Sequence, residues 1–431
     1  MKISRIRYAT LEQVDKMPRF DKRKLPYNRK RYTDPIIKLL YKGEVKACNC
    51  VVNKVNMEGL QPPYLLLCNH NSFVDFKVAM EAFFPAKADF VVAIDGFINR
   101  EWLLRDVGCI CKRKFTNDRT LISSMRYCLC EQKNILALYP EARYSLVGKT
   151  ELMPKSLGKI CKLINVPVVT LIAHGDHLRQ PFWNNHNVRK VNICADMTYL
   201  LTPEQIKEMT ADEIMAKIES AFAYDDYAYQ LATGQKITEP NRAEGLNRPL
   251  YQCPACHTEH QMYTKGNKLW CEHCKKSWTL LENGQLSADN GQTEFTSIRD
   301  WYDWERQQVR QQIIDGKYDL DLEVDVDSLP NSSGFYRIGR GRLRHNQDGF
   351  VLTCRSGERD LELRKGVLEN YSVHIEYDYF GKGDCIDLST LDDTYYMFPT
   401  QARDIVTKIH FATEEMYKLR MESDIASQSK Q

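Results

Sequence analysis

In the run Leu66-Leu67-Cys68-Asn69-His70-Asn71-Ser72-Phe73-Val74-Asp75 a histidine stands five positions before an aspartate. An imidazole and a carboxylate at hydrogen-bonding distance make a general base and the group that orients it. Tyr64 to Cys68 reads as a buried strand, Asn71 or Ser72 can cap the helix that follows, and Asp75 falls in its first turn. There the helix dipole and free backbone N–H groups keep the aspartate ionised, ready to accept a hydrogen bond from one ring nitrogen of His70. The other nitrogen is left to take a proton from an alcohol. Cys68, on the same strand face as His70, offers a second chemistry, an acyl-enzyme on its thiol. A strand-end cysteine beside a core is more often plain packing.

A second constellation is Cys253-Pro254-Ala255-Cys256 and Cys271-Glu272-His273-Cys274, which resembles a zinc ribbon. Each Cys-x-x-Cys makes a knuckle, and two knuckles complete a tetrahedral thiolate site at about 2.3 Å per bond. With Cys253, Cys256, Cys271 and Cys274 filling the coordination sphere, the expected zinc is structural, and His257, His260 and His273 are bystanders. The intervening Met262 to Trp270 reads as two strands around a turn.

The elements that must position these residues follow from periodicity. Strands are expected at 64–68, 90–94, 108–112, 135–139, 167–173 and 188–194, alternating with helices at 72–84, 118–132 and 156–165. That is α/β layering. Thr202-Pro203-Glu204-Gln205 and Thr210-Ala211-Asp212-Glu213 are helix starts with capping boxes. A helix is expected at about 298–315 and a last one near 401–420, with Gly- and Asp-punctuated antiparallel strands between them, among them 350–354 and 371–375. A sheet closed by one helix resembles a pleckstrin-homology-like domain in pattern.

The chain has 431 residues, 43% of them hydrophobic, enough for two or three domains. No apolar run reaches the ~18–20 residues that span a bilayer, and no export signal is visible. The net charge is only +3, yet residues 2–31 hold eleven Lys or Arg, beginning with Lys2, Arg5 and Arg7, against three acids. With Phe20, Leu25, Tyr27 and Tyr32 interleaved, this arm suits an anionic membrane surface, each cation near such a surface contributing ~1 kcal/mol. A charged strap over the catalytic domain is the competing reading, and nucleic acid is the weakest. Fifteen cysteines without a secretion signal fit a reducing cytoplasm.

Four blocks in order resemble the glycerolipid acyltransferase family that includes lysophosphatidate acyltransferases, over roughly residues 36–200. They are Asn69-His70 to Asp75, Gly108-Cys109-Ile110-Cys111-Lys112-Arg113-Lys114, Leu138-Tyr139-Pro140-Glu141-Ala142-Arg143-Tyr144-Ser145, and Val166-Pro167-Val168-Val169. The third block departs from the family's usual Phe-Pro-Glu-Gly-Thr-Arg-Ser, with Ala142 at the glycine and Arg143 one place early. In the second, Lys114 holds the family's arginine place beside Arg113, and a lysine neutralises a phosphate without gripping it as a planar fork does.

The resemblance implies an α/β fold with a mixed sheet flanked by helices, like that of glycerol-3-phosphate acyltransferases. A small zinc ribbon and a C-terminal antiparallel β domain with a closing helix complete the expected architecture. The divisions are a basic arm at 1–35, an acyltransferase domain at 36–245, the ribbon at 246–285, a helical linker at 286–325 and the pleckstrin-homology-like domain at 326–422. The implied reaction moves a fatty acyl group from acyl-CoA or acyl-carrier protein to the hydroxyl of a lysophospholipid, with 1-acylglycerol 3-phosphate as leading acceptor. His70 is then the base, Asp75 its partner, and Asn69, Arg113, Lys114, Glu141 and Arg143 the substrate-binding set, with backbone N–H groups near Pro140-Glu141 facing the oxyanion. The expected location is the cytoplasm, peripheral to the inner face of the membrane. Two alternatives are a zinc-ribbon scaffold or membrane-binding protein carrying an inactive acyltransferase domain, and an acyltransferase for another lysophospholipid or alcohol.

Overall fold

The computed structural model describes residues 6–28 and 34–428; Lys2, Arg5, Tyr32 and the rest of 29–33 lie outside the described residues. After a short strand β1 (Arg7–Tyr8) and the helix Asp34–Ala47, seven strands form one sheet: β2 (Val51–Val55), β3 (Tyr64–Cys68), β4 (Ala88–Ala93), β5 (Cys109–Lys112), β6 (Ile135–Leu138), β7 (Val168–His174) and β8 (Cys194–Leu201). Their order is β2-β8-β7-β3-β6-β4-β5, all neighbours being parallel except β7 and β8. The unbroken apolar run of β3 is buried throughout, as a strand covered on both faces must be. Leu66 and Cys68 pack with the helix Asp75–Phe83, whereas Leu65 and Leu67 pack with the helices Arg119–Arg126, Ser156–Ile164 and Ala211–Ala221. The mixed sheet is therefore flanked by helices, with His70 just beyond the carboxyl end of its central strand.

Two local expectations are corrected. Residues 188–193 are not strand: the Arg189 and Asn192 amides are taken by the Arg179 carbonyl and the Gln235 side chain, and pairing with β7 begins only at Cys194. The helix expected over 118–132 is α-helical at Arg119–Arg126 and widens to a π turn over Tyr127–Glu131.

Beyond a turn-rich stretch, β9 (Met262–Lys265), β10 (Lys268–Cys271), β11 (Ser277–Leu280) and β12 (Leu286–Ala288) form a small antiparallel sheet around the cysteines. The helix Ile298–Ile314 follows, its Trp301 edge-on to Trp278 of β11 at 5.0 Å. A second antiparallel sheet holds β13 (Leu320–Ser328), β14 (Tyr336–Asn346), β15 (Gly349–Ser356), β16 (Arg359–Lys365), β17 (His374–Glu376), β18 (Cys385–Ser389) and β19 (Thr394–Pro399), in the order β16-β15-β14-β13-β19-β18-β17. The helix Val406–Gln428 closes it.

The two large sheets share cores: Leu329, Cys385, Tyr396 and Phe398 belong to the cluster around β3 and β4. The described part of the basic arm crosses both. Strand β1 pairs with β14, Arg19 bonds Asp393 at 2.9 Å, Phe20 lies edge-on to Phe97 at 5.2 Å, and Lys22 bonds Asp118 at 3.0 Å. No helix among the described residues is long and apolar enough to cross a membrane.

Candidate active site

His70 Nδ1 lies 2.9 Å from Asp75 Oδ2. Asp75 is fixed in turn by the N–H groups of Asn71 at 2.7 Å and Ser72 at 3.0 Å, and by the Ser72 hydroxyl at 3.2 Å, so the turn between the two residues ties the carboxylate down. The imidazole is sandwiched between Tyr139 and Tyr144, with ring centroids 4.4 and 4.0 Å away. Burial, reinforced by the nearby cations Lys114 and His374, lowers the His70 pKa to about 3 and keeps the ring neutral. Burial lifts Asp75 to about 6 against its amide donors, which leaves it ionised at neutral pH. With Nδ1 held by Asp75, Nε2 is the ring nitrogen available to the cavity.

Behind the pair, Glu141 is fully buried and clamps the turn: its carboxylate accepts from the His70 N–H at 3.0 Å and from the Glu151 N–H at 2.7 Å. Burial raises Glu141 to about 8 in spite of these donors. Glu141 thus orders the loop. Tyr224 joins in, donating to Asn71 Oδ1 at 2.7 Å, and Asn71 Nδ2 donates to the buried Asp176 at 3.0 Å. Neither Tyr224 nor Asp176 was anticipated from sequence. Asp176 follows β7 at the carboxyl edge of the sheet, where ligand sites of α/β folds gather, and that position was the available signal.

The substrate-binding set is redistributed. Asn69 is buried, its side-chain amide exchanging two 2.8 Å bonds with the backbone of Ala173, so it aligns β3 with β7. Arg113 is buried and points into the C-terminal sheet, donating to the carbonyls of Leu329, Pro330 and Asp392 and to the Thr394 hydroxyl at 2.9–3.0 Å. Arg143 is buried between Glu151 at 2.9 Å and Glu414 at 2.6 Å. Arg113 is held by protein partners that a phosphate would have to displace, whereas Arg143 lines the cavity and keeps its Nε and Nη1 without a partner among the described residues, only Nη2 being shared by the two glutamates. Lys114 does line the cavity, as does Lys112, which sequence reasoning passed over.

That cavity, of about 810 Å³, is lined by His70, by Phe73, Phe76 and Phe90, by Arg100 and Arg143, and by Glu376 to Gly381 at the end of β17 and beyond. Ala142 also reaches it, with φ +58°, a left-handed conformation that explains why the family's pattern has glycine there. The amides of Ala142 and Ser145 are taken by the carbonyls of Tyr139 and His70, at 3.1 and 2.7 Å. Cys68 is buried and its thiol is pushed up by burial and by Asp75, which disfavours a thiolate nucleophile.

The four cysteine sulfurs lie within 4.8 Å of one another, with Cys253 to Cys274 and Cys256 to Cys271 each 3.7 Å apart. A tetrahedron with bonds of about 2.3 Å requires sulfurs about 3.8 Å apart, so the set fits a zinc-sized metal. Its two halves repeat one geometry: the amides of His257 and Lys275, both at positive φ, donate to the carbonyls of Cys253 and Cys271 at 2.9 Å. His257 is edge-on to Trp304 and His260 stacks on Tyr251, roles in packing.

Residues 51–173 match the family model for acyltransferases, and the resemblance carried by the sequence blocks holds across that segment. The solved structure of the 1-acyl-sn-glycerophosphate (LPA) acyltransferase PlsC from Thermotoga maritima aligns at 16% identity with a TM-score of 0.36, covering 44% of this chain and 78% of that one. No curated protein matches the chain.

Proposed function

We propose that this chain transfers a fatty acyl group from a thioester, acyl-CoA or acyl-carrier protein, to the hydroxyl of a lysophospholipid. The acyltransferase match over residues 51–173 supports acyl transfer in general. The observation that carries the finer reading is the His70–Asp75 pair at a cavity lined by aromatic and charged side chains. His70 Nε2 takes the proton of the acceptor hydroxyl as its oxygen bonds to the thioester carbon. The resulting oxyanion collapses, the carbon–sulfur bond breaks, and the imidazolium returns the proton to the departing thiolate. Asp75 fixes the tautomer and steadies the imidazolium, while the activated nucleophile is the substrate alcohol. The cysteine cluster stabilises the ribbon and takes no part in this step.

With Arg113 held by protein partners, the support for 1-acylglycerol 3-phosphate as acceptor rests on Lys112, Lys114 and Arg143 in the cavity lining. The peripheral membrane reading rests on the cations of the arm, several of which, Arg19 and Lys22 among them, are paired within the protein. The test compares the native chain with His70→Ala, using labelled acyl-CoA and acyl-carrier protein against a panel of lysophospholipids. Product from the native chain and a loss of about 10²–10⁴-fold in the variant is the expected result. No product with any pair, from folded metal-loaded protein, sinks the reading in favour of a scaffold.

A further inference from the structure

Charged side chains of both signs line the cavity. Lys112 and Lys114 stand at and just beyond the end of β5, and Glu376 and Asp378 stand on the turn that leaves β17. Arg100 and Arg143 line the cavity as well, Arg143 sharing only its Nη2 with Glu151 and Glu414, and Asp95 accepts from the Tyr379 hydroxyl at 2.8 Å and the Gly96 amide at 2.9 Å. His374 bridges Lys114 and Glu376, its Nε2 meeting Lys114 Nζ on one side and Glu376 at 3.3 Å on the other. Among the described residues, the Lys112 amine and the Asp378 carboxylate have no hydrogen-bond partner.

The turn is held in an unusual shape. Asp378 and Phe380 both adopt left-handed conformations, φ +49° and +53°, which residues with side chains take up only when their surroundings enforce it. The enforcing contacts are the Asp378 amide on Asp384 at 2.8 Å, the Tyr379 amide on the Gly383 carbonyl at 2.9 Å, and Phe335 packed against the rings of Tyr379 and Phe380. Strain kept at a cavity wall fixes where that wall's carboxylates stand.

We propose that Glu376 and Asp378 are specificity-determining residues that receive the amine of a zwitterionic lysophospholipid headgroup, whose phosphodiester faces Lys112 and Lys114. This rests on the acyl-transfer reading above and names its acceptor class. A phosphate monoester suits the cations Lys112, Lys114, Arg100 and Arg143 but leaves Glu376 and Asp378 facing its negative charge with no cation to receive. A phosphodiester bearing an amine offers an opposite charge both to these cations and to the two carboxylates.

The experiment uses the full chain, acyl-CoA, and lysophosphatidylethanolamine, lysophosphatidylglycerol and lysophosphatidate of one chain length in mixed micelles. The ethanolamine acceptor is expected to give the highest kcat/KM. In Glu376→Gln/Asp378→Asn the ratio of ethanolamine to glycerol acceptor should fall about tenfold, the scale of a lost charge-assisted contact, and Asp378→Glu should restore much of it in the Glu376 background. A native preference for lysophosphatidate, or an unchanged ratio in the double variant, overturns the proposal. If no acceptor is turned over, the acyl-transfer reading fails, and binding of fluorescent lysophosphatidylethanolamine to His70→Ala, with and without the double substitution, decides the headgroup reading alone. Binding weakened by the double substitution supports it; equal or absent binding rejects it.

Discussion

Ala142 is a residue whose cost can be measured. A left-handed alanine is disfavoured by roughly 1–2 kcal/mol, so Ala142→Gly should stabilise the chain by about 1 kcal/mol in urea unfolding once the extra flexibility of glycine is subtracted. Glu141 makes a separate prediction. Its carboxyl titrates near 8 when folded against an ordinary 4.5, so the folded chain holds a proton that the unfolded chain releases between those values. The associated stability is full below about pH 4.5 and is lost as pH rises through 8. Glu141→Gln should flatten that part of the stability profile, and an identical slope in both proteins would refute the assignment. For the proposed base pair, Asp75 must be ionised and His70 neutral. His70 stays neutral down to about 3, so kcat/KM should fall below about pH 6 as Asp75 takes up its proton. Asp75→Asn should cost about 10³–10⁴-fold and remove that limb, as measured by kcat/KM across pH 5–8. Cys68→Ser should keep most activity, since the thiol lies in the core.

At the scale of elements, what the sequence announced was what depends on local pattern. The all-apolar run of β3 and the capping boxes at Thr202 and Thr210 formed where periodicity and side-chain chemistry place them. Segment 188–193 misled because Val191 and Ile193 alternate with Lys190 and Asn192 like a strand, while the amides of Arg189 and Asn192 are claimed by a loop and a glutamine. Arg113 misled for a longer-range reason. Nothing near Arg113 in sequence reveals that Leu329, Pro330 and Asp392 will present three carbonyls to it. The ribbon was legible because four thiols at that spacing have few other uses. Its stability should depend on metal: zinc removal with a strong chelator, or Cys271→Ser, is expected to melt β9–β12 and release Trp278 from Trp301, read as lost near-ultraviolet circular dichroism with loss of bound zinc.

For the whole molecule, the arginine that was expected to hold substrate instead joins two sheets. Removing it leaves buried carbonyls without donors at ~1–3 kcal/mol each, so Arg113→Ala should loosen the C-terminal sheet and speed its cleavage in limited proteolysis. Proteolysis at the native rate would show that the shared core alone carries the junction. The cavity itself is divided along the chain: His70, Phe73 and Phe76 supply one part of its lining and Glu376 to Gly381 another, some 300 residues later. At about 5–20 residues per second, a nascent chain exposes the first part for roughly 15–60 s before the second leaves the ribosome. Over that interval Phe73 and Phe76 have Tyr144 and Phe90 beside them but lack the C-terminal part of the cavity lining. The growing polypeptide would therefore draw on chaperones while the middle of the protein is being made, and a message truncated after the ribbon would yield an open half-cavity prone to aggregation.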